Sequence, residues 1–280
     1  MKIATLMKRA AAEARQPTRA PAASALDPSR VRQALGKYYA LLIGNANYLE
    51  WPKLDTPIND AIALRTILEE RYGFEKPVQV VEDGRVQLIL DKLDQVRRLV
   101  NAQAENGSLV NVLVFYAGHG ARRYPIRGHW IPIDGPKEFS SRWIADTQIA
   151  EQVRGMKARQ ILVVADSCYA STLATRGALI QSRAPTLEAL VKERPRMVLA
   201  SGGDRPVYEP IGATHSIFAR ALIDVLRENH GVLRGEDLFR QIEPRVQQDA
   251  ARLGVEQQPQ YLPILDSDHE SGDFALVATD

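Results

Sequence analysis

A histidine and the only cysteine of the chain each follow an apolar run that ends in a loop. The run Leu109–Tyr116 ends at Ala117-Gly118-His119-Gly120, and the run Ile161–Ala165 ends at Asp166-Ser167-Cys168. Continuous apolar runs of this kind are typical of buried parallel strands, and α/β proteins carry their reactive groups at the carboxyl ends of such strands. A cysteine thiolate beside an imidazole is an activated nucleophile. The pattern therefore indicates a cysteine peptidase with His119 and Cys168 as its dyad.

The glycines around His119 strengthen this interpretation. Gly118 and Gly120 let the main chain turn sharply and approach a ligand closely. The main-chain N–H of Gly120 is predicted to donate to a developing oxyanion, with the N–H of Cys168 as the second donor. The alternatives are a loop histidine with no role and a cysteine that is only a small buried hydrophobe. The pairing of the two residues at neighbouring strand ends favours chemistry.

Composition limits the classes of function. The 280 residues are 45% hydrophobic, which suits one large domain or one domain with extensions. A single cysteine excludes an internal disulfide framework and a cysteine-based zinc site, and it is compatible with a reducing cytoplasm. The other four histidines show no metal-ligand spacing, so no metal or cofactor is expected. No secretory signal or membrane span is predicted, and a cytoplasmic location is expected.

Charge is unevenly distributed along the chain. Residues 1–37 carry a net charge of +6 against +2 for the whole chain, which leaves −4 for the remainder. Residues 1–36 therefore read as a basic leader, and the folded part is mildly acidic, which disfavours nucleic-acid binding and suits a cationic ligand. The leader is either a solvated tail or an inhibitory plug whose arginines occupy the active site. The arginines considered for the plug are Arg9, Arg15 and Arg19.

Strand-like and helix-like segments alternate from Tyr38 onward. Strands are predicted at 39–43, 77–81, 109–116, 161–165, 196–200 and 274–277, with a short hairpin at 129–133. Helices are predicted at 57–72, with Thr56 as N-cap, and at 86–104, 147–155, 216–229 and 235–253. The alternation predicts an α/β fold, a three-layer α/β/α sandwich around a mostly parallel sheet of about six strands.

The two motifs, Tyr116-Ala-Gly-His-Gly120 and Asp166-Ser-Cys168, resemble those of the caspase-like cysteine peptidases, the clan of caspases, metacaspases, paracaspases and bacterial orthocaspases. The histidine-to-cysteine spacing agrees with the caspase arrangement. Further similar segments are Tyr39–Tyr48, Leu54–Ala61 and His215–Leu222. The resemblance covers about residues 37–280 and implies the caspase-like fold. It divides the domain into a large-subunit-like part (about 37–175), a linker loop (about 171–186) and a small-subunit-like part (about 187–280).

The resemblance also implies a specificity. Animal caspases have Gln-Ala before the nucleophile and cut after aspartate. This chain has Asp-Ser there, as metacaspases and their bacterial relatives do, and those enzymes cut after arginine or lysine. By the same resemblance, Asp60 and Asp166 line the primary pocket, where two carboxylates would hold a guanidinium. The alternatives are that Asp60 only stabilises the first turn of its helix and that Asp166 only caps a turn.

Three departures from the metacaspase pattern set this chain apart. Pro57 stands where metacaspases often have a cysteine, and Tyr169 stands where they commonly have a histidine, which moves the chain toward bacterial caspase-like proteins. Across 121–150 the only aspartates are Asp134 and Asp146. Calcium needs six to eight oxygen ligands, so no calcium requirement is expected.

Weaker features suggest substrate binding and self-processing. Ser201, in Ser201-Gly-Gly-Asp204, is expected in a substrate-groove loop that pairs with an extended peptide. Arg176 and Arg183 are candidate self-cleavage sites in the linker, because nicking concentrates in flexible loops.

The predicted function is thus a cysteine endopeptidase that cleaves protein or peptide substrates after arginine or lysine, with a regulatory protein as a further expected partner. One alternative is a catalytically idle caspase-fold scaffold that binds partners. Another is a different thiol enzyme, such as an acyltransferase. Intact His119 and Cys168 count against the scaffold.

Overall fold

The computed structural model describes residues 26–123, 127–174, 186–202 and 212–279. The helices of these residues are α1 (Pro28–Leu35), α2 (Pro57–Arg71), α3 (Val86–Glu105), α4 (Asp146–Arg154), α5 (Leu187–Lys192), α6 (Ile217–Glu228) and α7 (Gly235–Arg252). The strands are β1 (Lys37–Gly44), β2 (Gln79–Glu82), β3 (Val110–Ala117), β4 (Gly120–Arg123), β5 (Arg127–Trp130), β6 (Ile144–Ala145), β7 (Gln160–Asp166), β8 (Arg196–Ala200), β9 (Val232–Arg234), β10 (Gln260–Pro263) and β11 (Ala275–Val277). Short 3₁₀ turns cover Ser140–Arg142 and Ala170–Leu173.

Six of the strands form the central sheet in the order β10-β8-β7-β3-β1-β2. Neighbouring strands from β2 to β8 are parallel, and β10 pairs antiparallel with β8. The predicted mostly parallel, six-stranded sheet is therefore confirmed. The reactive loops follow β3 and β7, which are neighbours in the middle of this sheet, where both faces are covered.

Side chains alternate along each strand between two hydrophobic cores. On β1, Leu42 points into one core, while Leu41 and Ile43 point into the other. The first core is closed by α1, α2, α6 and α7, and the second by α3 and α4. Burying one such aliphatic side chain stabilises the fold by about 1.5–3 kcal/mol, so the strand ends are held by a rigid support. The predicted three-layer sandwich is confirmed.

The sixth strand of the sheet is β10, which the sequence analysis did not identify. The predicted closing strand at 274–277 pairs instead with β9, in a separate antiparallel ribbon. Proline interrupts the β10 segment at Pro259 and Pro263, which argues against a central strand. At the edge of the sheet, β10 needs partners on one side only, so a proline there breaks no ladder.

Part of the predicted leader is packed against the domain. Residues 28–35 form α1, whose Val31 and Leu35 are buried in the first core. The side chain of Asp27 caps this helix by accepting a hydrogen bond from the N–H of Ser29. The arginines proposed as a plug, Arg9, Arg15 and Arg19, lie outside the described residues.

A small antiparallel sheet of β4, β5 and β6 lies directly after His119. The predicted hairpin at 129–133 therefore begins earlier and is larger than expected, because β5 pairs with β4 on one side and with β6 on the other. His119 is held between the central sheet and this small one.

Among the described helices, none combines the length and the apolar character that a membrane crossing requires.

Candidate active site

The register of two neighbouring strands places His119 and Cys168 at equivalent positions beyond one edge of the sheet. Ala117, the last residue of β3, lies opposite Asp166, the last residue of β7. His119 and Cys168 each lie two positions after the end of their strand. Both line one cleft of about 470 Å³ at the carboxyl edge of the sheet. The arrangement predicted from the sequence, a histidine and a cysteine at one sheet edge, is the arrangement that the structure shows.

Gly120 lies directly against the main chain of the loop that carries Cys168. A Cβ atom at Gly120 would lie 2.0 Å from the carbonyl oxygen of Cys168 and 3.2 Å from its nitrogen. Only glycine fits this approach, since real side chains never come so close to a carbonyl oxygen. The two N–H groups proposed for the oxyanion hole, those of Gly120 and Cys168, thus belong to main-chain segments in contact.

We expect the Gly120→Ala variant to lose at least about 10²-fold in peptide hydrolysis, because the new methyl group forces these two segments apart and removes aligned oxyanion donors. Gly231→Ala is the matched control, since a Cβ atom there meets nothing within 4 Å. Steady-state hydrolysis of a peptide substrate by both variants checks this. Equal activity of the two variants would show that the contact is not needed.

The imidazole of His119 is oriented by the loop after β1. Its Nε2 lies 2.8 Å from the carbonyl oxygen of Pro52. A carbonyl can only accept, so Nε2 carries the proton and Nδ1 is the nitrogen that can act as a base. The rings of Tyr48 and Trp51 pack on the imidazole, with centroid separations of 4.6 and 5.4 Å. No role was assigned to Tyr48, Trp51 or Pro52 from the sequence.

Cys168 begins a tight turn at the end of β7. The next residue, Tyr169, has a φ of +61°, a left-handed conformation that is unusual for a residue with a side chain. The 3₁₀ turn that follows is tied back, because the N–H of Thr172 donates to the carbonyl of Tyr169 at 3.0 Å. The Thr172 hydroxyl also lies 2.5 Å from the carboxylate of Asp146. Burial raises the pKa of Asp146 to about 6.

Asp166 is a buried carboxylate at the wall of the cleft. Its residue is only 7% exposed, yet it lines the cleft together with His119 and Cys168. The hydroxyl of Ser216 donates to Asp166 Oδ2 at 2.5 Å. Ser216 is also the N-cap of α6, where its hydroxyl accepts from the N–H of Ala219.

Asp60 lies deeper, behind the same serine. Its side chain is fully buried and is not part of the cleft wall. The N–H of Ser216 donates to Asp60 Oδ2 at 3.3 Å, and the Nδ1 of His215 lies 2.6 Å from Oδ1. Burial raises the pKa of Asp60, and the hydrogen bonds from His215, Ser216 and Thr56 oppose that rise. The two predicted pocket acids are thus joined through Ser216, whose part the sequence analysis missed.

The signal for Ser216 was present but was interpreted only as a helix start. A serine before an apolar helix predicts an N-cap, and nothing in the sequence shows that such a cap also binds two carboxylates. His215, which directly precedes the predicted helix, also contacts Asp60.

Of the remaining candidates, the structure describes only Ser201. Ser201 is buried, and its N–H donates to the carbonyl of Ala165 while its carbonyl accepts from Gln257. Its main-chain N–H is therefore already used inside the protein, and Ser201 is not among the residues that line the cleft. The candidate self-cleavage sites, Arg176 and Arg183, lie outside the described residues.

The described residues hold no cluster of three or more His, Cys, Asp and Glu side chains suited to a metal ion.

Two comparisons with known proteins bear on this site. The family model of the caspase domain, from the C14 peptidases, matches residues 37–268. The human mucosa-associated lymphoid tissue lymphoma translocation protein 1 is 33% identical to the chain over 106 residues. That match covers 36% of this chain and 11% of the human protein, so the chain spans only about a tenth of that relative's length.

Proposed function

Since the chain belongs to the caspase-domain family of C14 peptidases, we propose that it is a cysteine endopeptidase that cleaves after arginine or lysine. The observation that carries the proposal is the strand register, which brings His119 and Cys168 to equivalent positions on adjacent parallel strands and into one cleft. The acidic wall of that cleft, Asp166, supports the preference for a cationic side chain.

The geometry supports a two-step hydrolysis. His119 takes the proton of the Cys168 thiol through Nδ1, and the thiolate attacks the peptide carbonyl carbon. The N–H groups of Gly120 and Cys168 stabilise the oxyanion, and the imidazolium returns its proton to the leaving amine as the C–N bond breaks. Water then attacks the thioester, with His119 as base, and releases the acid and the free thiol.

Charge in the pocket favours a guanidinium or an ammonium group. Asp166 lines the cleft, and Asp60 adds a second acidic group, bonded to the same Ser216. A buried carboxylate gains from a cationic partner, because the pair forms charge-assisted hydrogen bonds. An acidic substrate side chain would meet like charge instead.

Three fluorogenic peptides that differ only at the cleaved residue test the proposal. We expect kcat/KM for the arginine and lysine peptides to exceed that for the aspartate peptide by at least about 10²-fold, from loss of a buried charge pair. Preference for aspartate would contradict the specificity. Failure on every peptide with a reactive Cys168 would favour another thiol enzyme, and failure with an unreactive Cys168 would favour a scaffold.

Self-processing belongs to the same proposal. Arg176 and Arg183 follow the nucleophile turn and carry the side chain that the pocket prefers. A protein made as one chain would then be a zymogen that cuts its own linker, under the control of a regulatory partner. The lone free cysteine suits a reducing compartment such as the cytoplasm.

A further inference from the structure

Two buried tyrosine hydroxyls hold the main chain of His119 from both sides. The N–H of His119 donates to the hydroxyl of Tyr48 at 2.7 Å, and the hydroxyl of Tyr116 donates to the carbonyl of His119 at 2.7 Å. Tyr116 is itself anchored by the main chain of Ile131, whose N–H donates to its hydroxyl at 3.1 Å and whose carbonyl lies 3.0 Å from it as a second acceptor. The carbonyl of His119 also accepts from the N–H of Ile131 at 3.1 Å. Both main-chain polar groups of His119 are thus bonded to phenols, and the carbonyl has a main-chain partner as well.

The two hydroxyls form a single buried group. They lie 3.5 Å apart, and the residues that carry them are 4% and 0% exposed. Burial raises the pKa of both Tyr48 and Tyr116, so both stay protonated across the working range of a thiol enzyme. Each hydroxyl therefore offers one proton and its lone pairs at every relevant pH.

The residue before His119 is shaped to fit these hydroxyls. Gly118 has a φ of +154°, and a Cβ atom there would lie 2.5 Å from the Tyr48 hydroxyl oxygen and 3.0 Å from that of Tyr116. Glycine is required because the phenols occupy the space of a side chain. The ring of Tyr48 also packs on the imidazole itself. Tyr48 therefore contacts both the main chain and the ring of His119.

We infer that Tyr48 and Tyr116 are positioning residues for the catalytic histidine, an inference that rests on the proposed function because it takes His119 as the base. Neither hydroxyl takes part in the reaction. They act through the main chain of His119, and their removal frees the imidazole to move away from the thiol.

The test compares Tyr48→Phe and Tyr116→Phe with a matched control, Tyr72→Phe. Tyr72 is also buried, and its hydroxyl donates to the carbonyl of Leu226 at 2.9 Å, so this control loses the same kind of hydrogen bond. We expect kcat to fall about 10- to 100-fold in the first two variants, with KM within about twofold, since a small misplacement of a reacting group costs up to that factor. The control should keep kcat, although its melting temperature falls.

A second readout does not depend on peptide hydrolysis. Because Cys168 is the only cysteine, the rate of its alkylation by iodoacetamide against pH reports its ionisation alone. An isolated thiol ionises near pH 8.5, and a neighbouring imidazole lowers that midpoint. We expect the midpoint to rise by roughly half a unit to one unit in Tyr48→Phe and Tyr116→Phe, in the direction of His119→Ala.

These measurements separate the two hypotheses. A wild-type protein that hydrolyses no peptide contradicts the proposed function, while the alkylation profiles still test the positioning. The inference is overturned if both variants keep the wild-type kcat and alkylation midpoint, or if Tyr72→Phe loses kcat to the same extent. Tyr116→Phe decides the matter alone if Tyr48→Phe does not fold.

Discussion

The Cys168→Ala variant is expected to lose peptide hydrolysis by about 10⁴-fold or more, because the nucleophile acts as a unit with its base. The substitution removes only a sulfur atom from a half-buried turn, so the fold should remain. Hydrolysis of the arginine peptide, compared with the melting temperature of the same sample, checks both statements. Residual activity within tenfold of the wild type would rule out Cys168 as the nucleophile.

The same variant decides whether the chain processes itself. Incubation of the wild-type protein should produce new termini after Arg176 or Arg183, detected by mass spectrometry of the intact fragments. Cys168→Ala should produce none, which distinguishes self-cleavage from a contaminating protease. A wild-type protein that stays intact would exclude self-processing under those conditions while leaving the peptidase activity to be judged by the peptide assay.

Asp166→Asn is expected to lower kcat/KM for the arginine peptide by about 10²-fold or more, since truncating one partner of a buried charge pair costs roughly 2–5 kcal/mol. The amide keeps the size of the side chain, and its oxygen can still accept from the hydroxyl of Ser216. What is lost is the negative charge at the wall of the cleft. Citrulline has the shape of arginine but no charge. We therefore expect Asp166→Asn to lower kcat/KM for a citrulline peptide far less than for the arginine peptide.

The control for this experiment is Asp91→Asn, which changes the net charge by the same amount at an exposed position on α3. This variant should leave kcat/KM for the arginine and citrulline peptides unchanged. Equal losses for the arginine and citrulline peptides in Asp166→Asn would mean that the carboxylate supports the fold of the site and does not recognise the cation.

The sequence predicted the parts of the site that depend on strong local patterns. Long apolar runs such as Leu109–Tyr116 identify buried strands, and the residues that follow them fall at one sheet edge because parallel strands end there. His119, Gly120 and Cys168 were identified for that reason. The register that places them at equivalent offsets follows from pairing of β3 with β7, which no local pattern encodes.

Features that depend on distant contacts were missed. Ser216 binds Asp60 and Asp166, which lie far from it in the sequence, and the N-cap pattern reveals only its local partner. The role of Tyr48 depends on a loop that returns to His119. The edge strand β10 was obscured by its prolines, which a central strand would not tolerate.

The serine that joins the two carboxylates also joins the two halves of the chain. Asp60 and Asp166 precede the linker, Ser216 follows it, and β7 pairs with β8 across the same division. Severing the predicted linker would therefore leave both fragments bound to each other through the sheet, with the proposed substrate pocket shared between them. Neither fragment could leave without breaking up that pocket. A cut in the linker would therefore divide the chain and keep the pocket that binds the substrate.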